Sequence, residues 1–130
     1  MEYTFSFGKQ FANEFKNYPQ NQQDAILDFL DIYEVHGLED FKLYKGKIAF
    51  SWKGLQYTDP VYKYAKSNDL WHAHIGIPNF RKSDYGRYYT SDMILHFQWV
   101  DRGYVIKVVD ITPHYKADRQ FWLPAVNYLK

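Results

Sequence analysis

The spacing of apolar positions divides the chain into a helical N-terminal part and a strand-rich remainder. Tyr3-Thr4-Phe5-Ser6-Phe7 alternates aromatic and polar residues, the period-two signature of a strand with one buried face. Gly8 interrupts the alternation. Lys9 to Tyr18 then sets Phe11 and Phe15 one helical turn apart, which predicts a short helix that Pro19 ends. Asn21 is the expected cap of a second helix running to about His36, with Gly37 as its stop. Ile26, Phe29, Leu30 and Tyr33 form its buried stripe, while Asp24, Asp28, Asp31 and Glu34 lie largely away from it. Two helices joined by so short a link predict a helical hairpin.

From Gly46 the period changes to two. Strands are expected at about 46–53, 70–77, 92–100 and 104–112, followed by a last helix around 121–129. Asp101-Arg102-Gly103 reads as a tight turn, which makes the strands on either side of it antiparallel neighbours. Residues 54–69 carry Gly54, Pro60 and several tyrosines and are expected to loop, with a helical turn near 61–66. Residues 78–91 form a longer polar loop, and loops of such length in a small domain often carry function. No repeat, linker or low-complexity run divides the chain. The expectation is one domain over 1–130, of α+β class. An antiparallel sheet of four to five strands packs on an N-terminal helical hairpin, and a C-terminal helix closes the chain.

Side-chain parity sorts each strand into two faces. In 70–77 the apolar set is Trp71, Ala73, Ile75 and Ile77, and His72 and His74 point the other way. In 92–100, Met93, Leu95, Phe97 and Trp99 oppose Asp92, His96 and Gln98. In 46–53, Ile48, Phe50 and Trp52 leave Lys47, Ser51 and Lys53 outward, with Lys45 just before. If the apolar faces meet the helices, the other face gathers Lys45, Lys47, Lys53, His72, His74, Asp92, His96 and Gln98. The strand at 104–112 is apolar at both parities through Val108 and Val109, as a doubly covered strand would be.

Composition sharpens this picture in three ways. Aromatic residues make up 21% of the chain, with 13 Tyr and 10 Phe, more ring surface than packing alone demands. There is no cysteine, so disulfides, thiolate nucleophiles and Cys-based zinc sites are excluded. The net charge of +1 hides a strong asymmetry. Residues 1–40 hold two lysines against eight acids, whereas 41–66 hold six lysines against Asp59 alone. A polyanion could sit on the basic part while the acidic helices face away. Met1-Glu2-Tyr3 opens straight into strand alternation without a signal-peptide pattern, and no apolar run is long enough to span a membrane; a soluble, cytoplasmic protein is expected.

Basic and titratable residues beside aromatic rings on one sheet face suit RNA. Lysine and arginine neutralise phosphates, rings stack exposed bases, and histidine brings acid–base chemistry near neutral pH. The plain alternative is the polar, solvated face of an antiparallel sheet. His72-Ala73-His74 also sets two imidazoles roughly 6–7 Å apart on one face, and His96 or Asp92 could complete a three-ligand metal site. There is no HExxH helix, glycine-rich phosphate loop or GxSxG elbow.

Three segments carry a resemblance. They are Trp71-His72-Ala73-His74-Ile75, Tyr89 through Phe97 with its Ser91-Asp92 lead-in and His96, and Pro113-His114-Tyr115-Lys116-Ala117-Asp118-Arg119. Together they resemble the RelE-type toxins of bacterial toxin–antitoxin systems, most nearly the YafO branch, over about 71–119; the order of elements agrees over the rest. The resemblance implies a ribosome-dependent mRNA endonuclease, held in check by an antitoxin protein and needing no metal or other cofactor. In such chemistry a ribose 2′-hydroxyl attacks the adjacent phosphorus while a base, an acid and cations assist. His114 would transfer a proton, and Tyr115 would stack a base or assist. His74, His96 and Asp92 would complete or orient the acid–base set. Arg87, Lys116 and Arg119 are candidates to hold phosphate, and Lys45, Lys47, Lys53, Arg81 and Lys82 would line the RNA path.

Other readings stay open on the residues themselves. One is a non-catalytic module that holds a protein or nucleic acid on its tyrosine-rich face. Another is a metal-dependent enzyme using His72, His74 and a third ligand. Poisoning of DNA gyrase, known among RelE-fold relatives, is a fallback.

Overall fold

In chain order the elements are β1 (Thr4–Phe7), α1 (Lys9–Phe15), α2 (Gln20–His36), β2 (Ile48–Phe50), α3 (Pro60–Ser67) and β3 (Leu70–His74). There follow the two-residue strands β4 (Arg81–Lys82) and β5 (Tyr89–Thr90), then β6 (Met93–Gln98) and β7 (Val105–Pro113). The computed structural model describes residues 2–82, 88–116 and 120–130. The five-stranded sheet has the order β1-β7-β6-β3-β2. The expected α+β architecture and N-terminal helices are present, with one refinement. β2, β3, β6 and β7 pair antiparallel, but β1 runs parallel to β7, from Thr4 opposite Val105 to Phe7 opposite Val108, so the sheet is mixed.

The first face of the sheet is apolar and covered by helices. Phe11 of α1 and Ile26, Phe29, Leu30 and Tyr33 of α2 bury against Trp71, Leu95, Phe97, Ile106 and Val108. Rings interlock between the layers and within the sheet: Phe29 of α2 lies 5.8 Å from Phe97, and Trp71 lies 4.8 Å from Trp99. Complete burial of a side chain such as Phe97 contributes roughly 1.5–3 kcal/mol. Tyr33 also donates its hydroxyl to the carbonyls of Thr4 (2.9 Å) and Tyr104 (3.0 Å), which fixes α2 over the start of the β1–β7 pair.

The second face has a smaller apolar cluster of Ala65, Leu70 and Val109, with Tyr64, Leu123 and Leu129 packed on it. α3 begins where Pro60 follows Asp59, whose carboxylate accepts the Val61 N–H at 2.8 Å. The Tyr64 hydroxyl donates to Pro124 O at 2.6 Å and ties α3 to the C-terminal segment. That segment departs from expectation. In place of a helix over 121–129, Phe121 pairs with Tyr115 in an isolated bridge, and only Val126–Leu129 makes a 3-10 turn. Pro124 is the reason: it supplies no N–H and disfavours helical backbone at the residue before it, which leaves too few residues to continue.

Two strands stop well short of what their alternation suggested. β2 stops at Phe50, and 51–55 form turns that include Gly54 at φ +79°. β3 stops at His74, before Gly76 at φ +85°. Most consequential is a bulge in β7. His96 pairs with Asp110 while Phe97 pairs with Val108, so Val109 is the extra residue. Val108 joins the helix-side core and Val109 the second cluster, which explains why both parities of this strand are apolar. Beyond the bulge Ile111 returns to the first core, and Thr112 reaches His96 on the second face.

Candidate functional site: a histidine cluster beneath the C-terminal segment

His72 and His96 are direct cross-strand partners on β3 and β6, and His74 lies two residues along β3 on the same face. His114 follows β7 immediately and is held by backbone bonds: its N–H donates to Asp92 O at 2.8 Å, and its carbonyl accepts from Trp122 at 3.2 Å. The His114 ring comes 4.8 Å from that of His74 and 5.4 Å from that of His72. Phe121 closes over the group, 5.0 Å from His72 and 5.1 Å from His114. The second face is therefore not the open wet surface of an ordinary antiparallel sheet. His72, His74 and His96 are only 6%, 5% and 0% exposed, and His114 is half-buried at the edge.

Each buried ring is oriented by a neighbour. His72 Nδ1 lies 3.0 Å from Ser51 Oγ. His74 Nδ1 is held by the peptide of Ser91, 2.9 Å from its carbonyl and 3.1 Å from its N–H. In both rings the nitrogen engaged among the described residues is Nδ1. His96 differs. Thr112 donates its hydroxyl to Pro113 O at 2.8 Å, so it accepts from His96 Nε2 at 2.7 Å. His96 Nδ1 then carries the lone pair, and it has no hydrogen-bond partner among the described residues.

Electrostatics keep the whole set neutral at pH 7. Burial, followed by the charges of His96, His114, His74 and Lys47, holds His72 well below the usual imidazole range. Burial lowers His74 too, with Lys47 and Arg81 adding to the effect and the Ser91 hydrogen bond opposing it. Burial and then His114 push His96 down to about 3; burial, then His74 and Lys47, push His114 down to about 4. Lys47 itself is lowered, chiefly by burial and then by the adjoining Lys53. Neutral imidazoles can accept protons, donate hydrogen bonds or ligate a metal; they do not by themselves hold an anion.

The pocket beside the cluster measures about 450 Å³ and is lined by Arg81, Thr90, Ser91, Asp92, Pro113, His114 and Tyr115. Tyr115 is exposed, its ring 4.2 Å from that of His114. Arg81 and Asp92 form an ion pair across this mouth, 2.7 Å between Nη1 and Oδ1, with both side chains more than half exposed. Asp92 is thus committed to Arg81 rather than to the histidines. Lys82 is exposed next to Arg81 on β4.

The expected residues separate into groups. His74, His96, His114, Tyr115, Lys47 and Lys53 converge. Lys45 does not: its ammonium lies 5.2 Å over Phe80 and 5.0 Å over Tyr89. That places Lys45 on a different cavity of about 410 Å³, which Asp24, Asp28 and Phe29 also line. Lys116 leans away over Trp122 at 5.9 Å. Arg87 and Arg119 lie outside the described residues. Ser51, Thr112 and Phe121 also belong to the site. Strand parity had turned Ser51 outward, but Thr112 reaches this face only through the bulge, and Phe121 only through the break at Pro124.

No protein-family model and no curated protein sequence matches the chain. Among solved structures, the archaeal RelE–RelB complex from Pyrococcus horikoshii OT3 is similar, with 17% identity and a TM-score of 0.48. The overlap covers 87% of this chain and 96% of that one. At that level of likeness, the chemistry has to be argued from the residues themselves.

Proposed function

We propose that the protein is an endoribonuclease of toxin–antitoxin type, cutting mRNA on the ribosome by metal-independent 2′-hydroxyl attack and neutralised by an antitoxin protein. The observation that carries this reading is the meeting of His114, half-buried at the mouth of a pocket, with Tyr115 and with the Lys47–Lys53 pair behind it. The resemblance of the three histidine-bearing segments to RelE-type toxins supports the same chemistry. Ribosome and antitoxin enter through that resemblance alone.

In this reading a phosphodiester enters the pocket with its base against the exposed Tyr115 ring. The ribose 2′-oxygen forms the new bond to phosphorus as its proton passes to a base, and the bond from phosphorus to the 5′-oxygen breaks as that oxygen is protonated. The products are a 2′,3′-cyclic phosphate and a free 5′-hydroxyl. His114 is the proton carrier with access to the pocket. His74 and His72 stand behind it and set its position. Lys47 and Lys53 supply the positive charge that stabilises the equatorial oxygens. Arg81 contributes when the phosphate displaces Asp92 from its ion pair.

The test is primer extension on mRNA incubated with ribosomes and purified protein. Wild type should leave discrete stops, and His114→Ala should lower the cleavage rate by about a hundredfold or more. Cleavage at an equal rate by both proteins, or by neither, would overturn the reading.

A further inference from the structure

We propose that His72, His74 and His114 form a site for one divalent transition-metal ion of the zinc class, and that its occupancy switches the nuclease off. The second clause rests on the proposed nuclease reading; the first does not.

The three residues each offer a ring nitrogen, and these atoms all lie within 4.8 Å of one another. A tetrahedral zinc ion bound through nitrogens at about 2.0–2.1 Å would need them roughly 3.3 Å apart. Two of the three ligands are on the rigid β3 strand, while His114 lies just past the end of β7, half-buried, where a small ring rotation can close the gap. The third ligand is neither His96 nor Asp92, the two that spacing along the strands suggested. The ring nitrogens that come together are those of His72, His74 and His114 and not of His96, and Asp92 pairs with Arg81.

The surroundings are those of a metal site as well as of a buried polar cluster. Histidine ligands usually give their other ring nitrogen to a carbonyl, carboxylate or hydroxyl that fixes the tautomer and aims the ring. Here Ser51 Oγ lies 3.0 Å from Nδ1 of His72, and Nδ1 of His74 sits against both the carbonyl and the N–H of Ser91; the tautomers in which Nδ1 donates to Ser51 and to the Ser91 carbonyl are the ones that leave both Nε2 lone pairs for a metal. Neutral imidazole is also the ligating form. Lys47 opposes the proposal, because it adds positive charge beside the cluster. Three imidazole nitrogens must outweigh one partly solvated ammonium, which weakens the expected affinity. A bound ion would take the lone pair that His114 needs to accept a proton, so cleavage should fall as the site fills.

The experiment uses full-length protein stripped of metal with EDTA and exchanged into chelator-free buffer. Co²⁺ is titrated while the visible d–d absorption is followed, and Zn²⁺ is then added in competition. One Co²⁺ per chain with the intense bands of a tetrahedral site is expected, displaced by one Zn²⁺. His114→Ala and His74→Ala should each weaken binding by at least about a hundredfold, and Ser51→Ala by roughly tenfold to a hundredfold. His36→Ala, which removes the exposed histidine on α2, should leave it unchanged. If His74→Ala fails to give the wild-type circular dichroism, His114→Ala decides, since that ring lies at the edge of the fold. Absence of the bands, or binding that survives His114→Ala, would overturn the site. In the second arm, Zn²⁺ is titrated into the mRNA cleavage reaction, and half-inhibition should track the affinity from the first arm. Stoichiometric binding without inhibition, or with stimulation, would overturn the switch and keep the site. Absence of cleavage at any metal concentration would overturn the nuclease reading and leave the binding result standing.

Discussion

The two faces of one sheet show how the same backbone can serve opposite ends. On the helix-covered face, Trp71, Leu95, Phe97 and Ile106 meet α1 and α2 with apolar surface and interlocked rings, and that apolar surface gains by leaving water. On the other, His72, His74 and His96 are buried nearly as deeply, yet burial works against their charged forms and leaves one ring nitrogen of His96 without a partner among the described residues. The first face is a source of stability. The second spends stability to hold imidazoles neutral, oriented and close together. Such an arrangement is expected where groups are kept for chemistry rather than for the fold.

Substitutions can test that contrast directly. The largest effect is expected on the apolar face: Phe97→Ala should cost about 3–5 kcal/mol in urea unfolding, because it empties a fully buried site between α2 and the sheet. Asp110, buried on β7, should behave oppositely. Burial raises its carboxyl to about 7, so the folded state keeps a proton that the unfolded chain releases from about pH 4 upward. Stability is therefore lost as pH rises through that window, and the full loss is present above pH 7. Asp110→Asn should match wild type near pH 4 and exceed it at pH 8, by an amount on the order of 4 kcal/mol. A gap that narrowed with rising pH would contradict this account. His114→Ala divides function from fold: stability should change by less than about 1 kcal/mol, while cleavage falls about a hundredfold, equivalent to roughly 2.7 kcal/mol of transition-state stabilisation. The smallest effect is at α3, beneath the second face, where Asp59→Ala should cost about 1 kcal/mol through the lost cap on Val61.

Much of this arrangement can be read from local pattern. Phe11 and Phe15 marked α1; Ile26, Phe29, Leu30 and Tyr33 marked the buried stripe of α2. Alternation placed His72, His74 and His96 on one face, and in the structure these three do share a face. It also separated them from the aromatic set that fills the first core. These features depend on residues a few positions apart, where helix pitch and strand pleat fix side-chain direction whatever the rest of the chain does.

What alternation could not give depends on where distant segments meet. His114 joins His72 and His74 because β7 ends beside them, and Phe121 packs on His72 and His114 because Pro124 prevents the helix that 121–129 would otherwise have formed. Thr112 turns to His96 only because the bulge at Val109 reverses parity in the middle of β7. Lys45 and Lys47 have the same parity, yet the first lies over Phe80 and Tyr89 while the second joins the histidines. By itself the sequence determined an α+β domain with three histidines on one sheet face. Only the tertiary structure decided that the face is covered, and that His114 completes the cluster, since both follow from long-range pairing that no local period encodes.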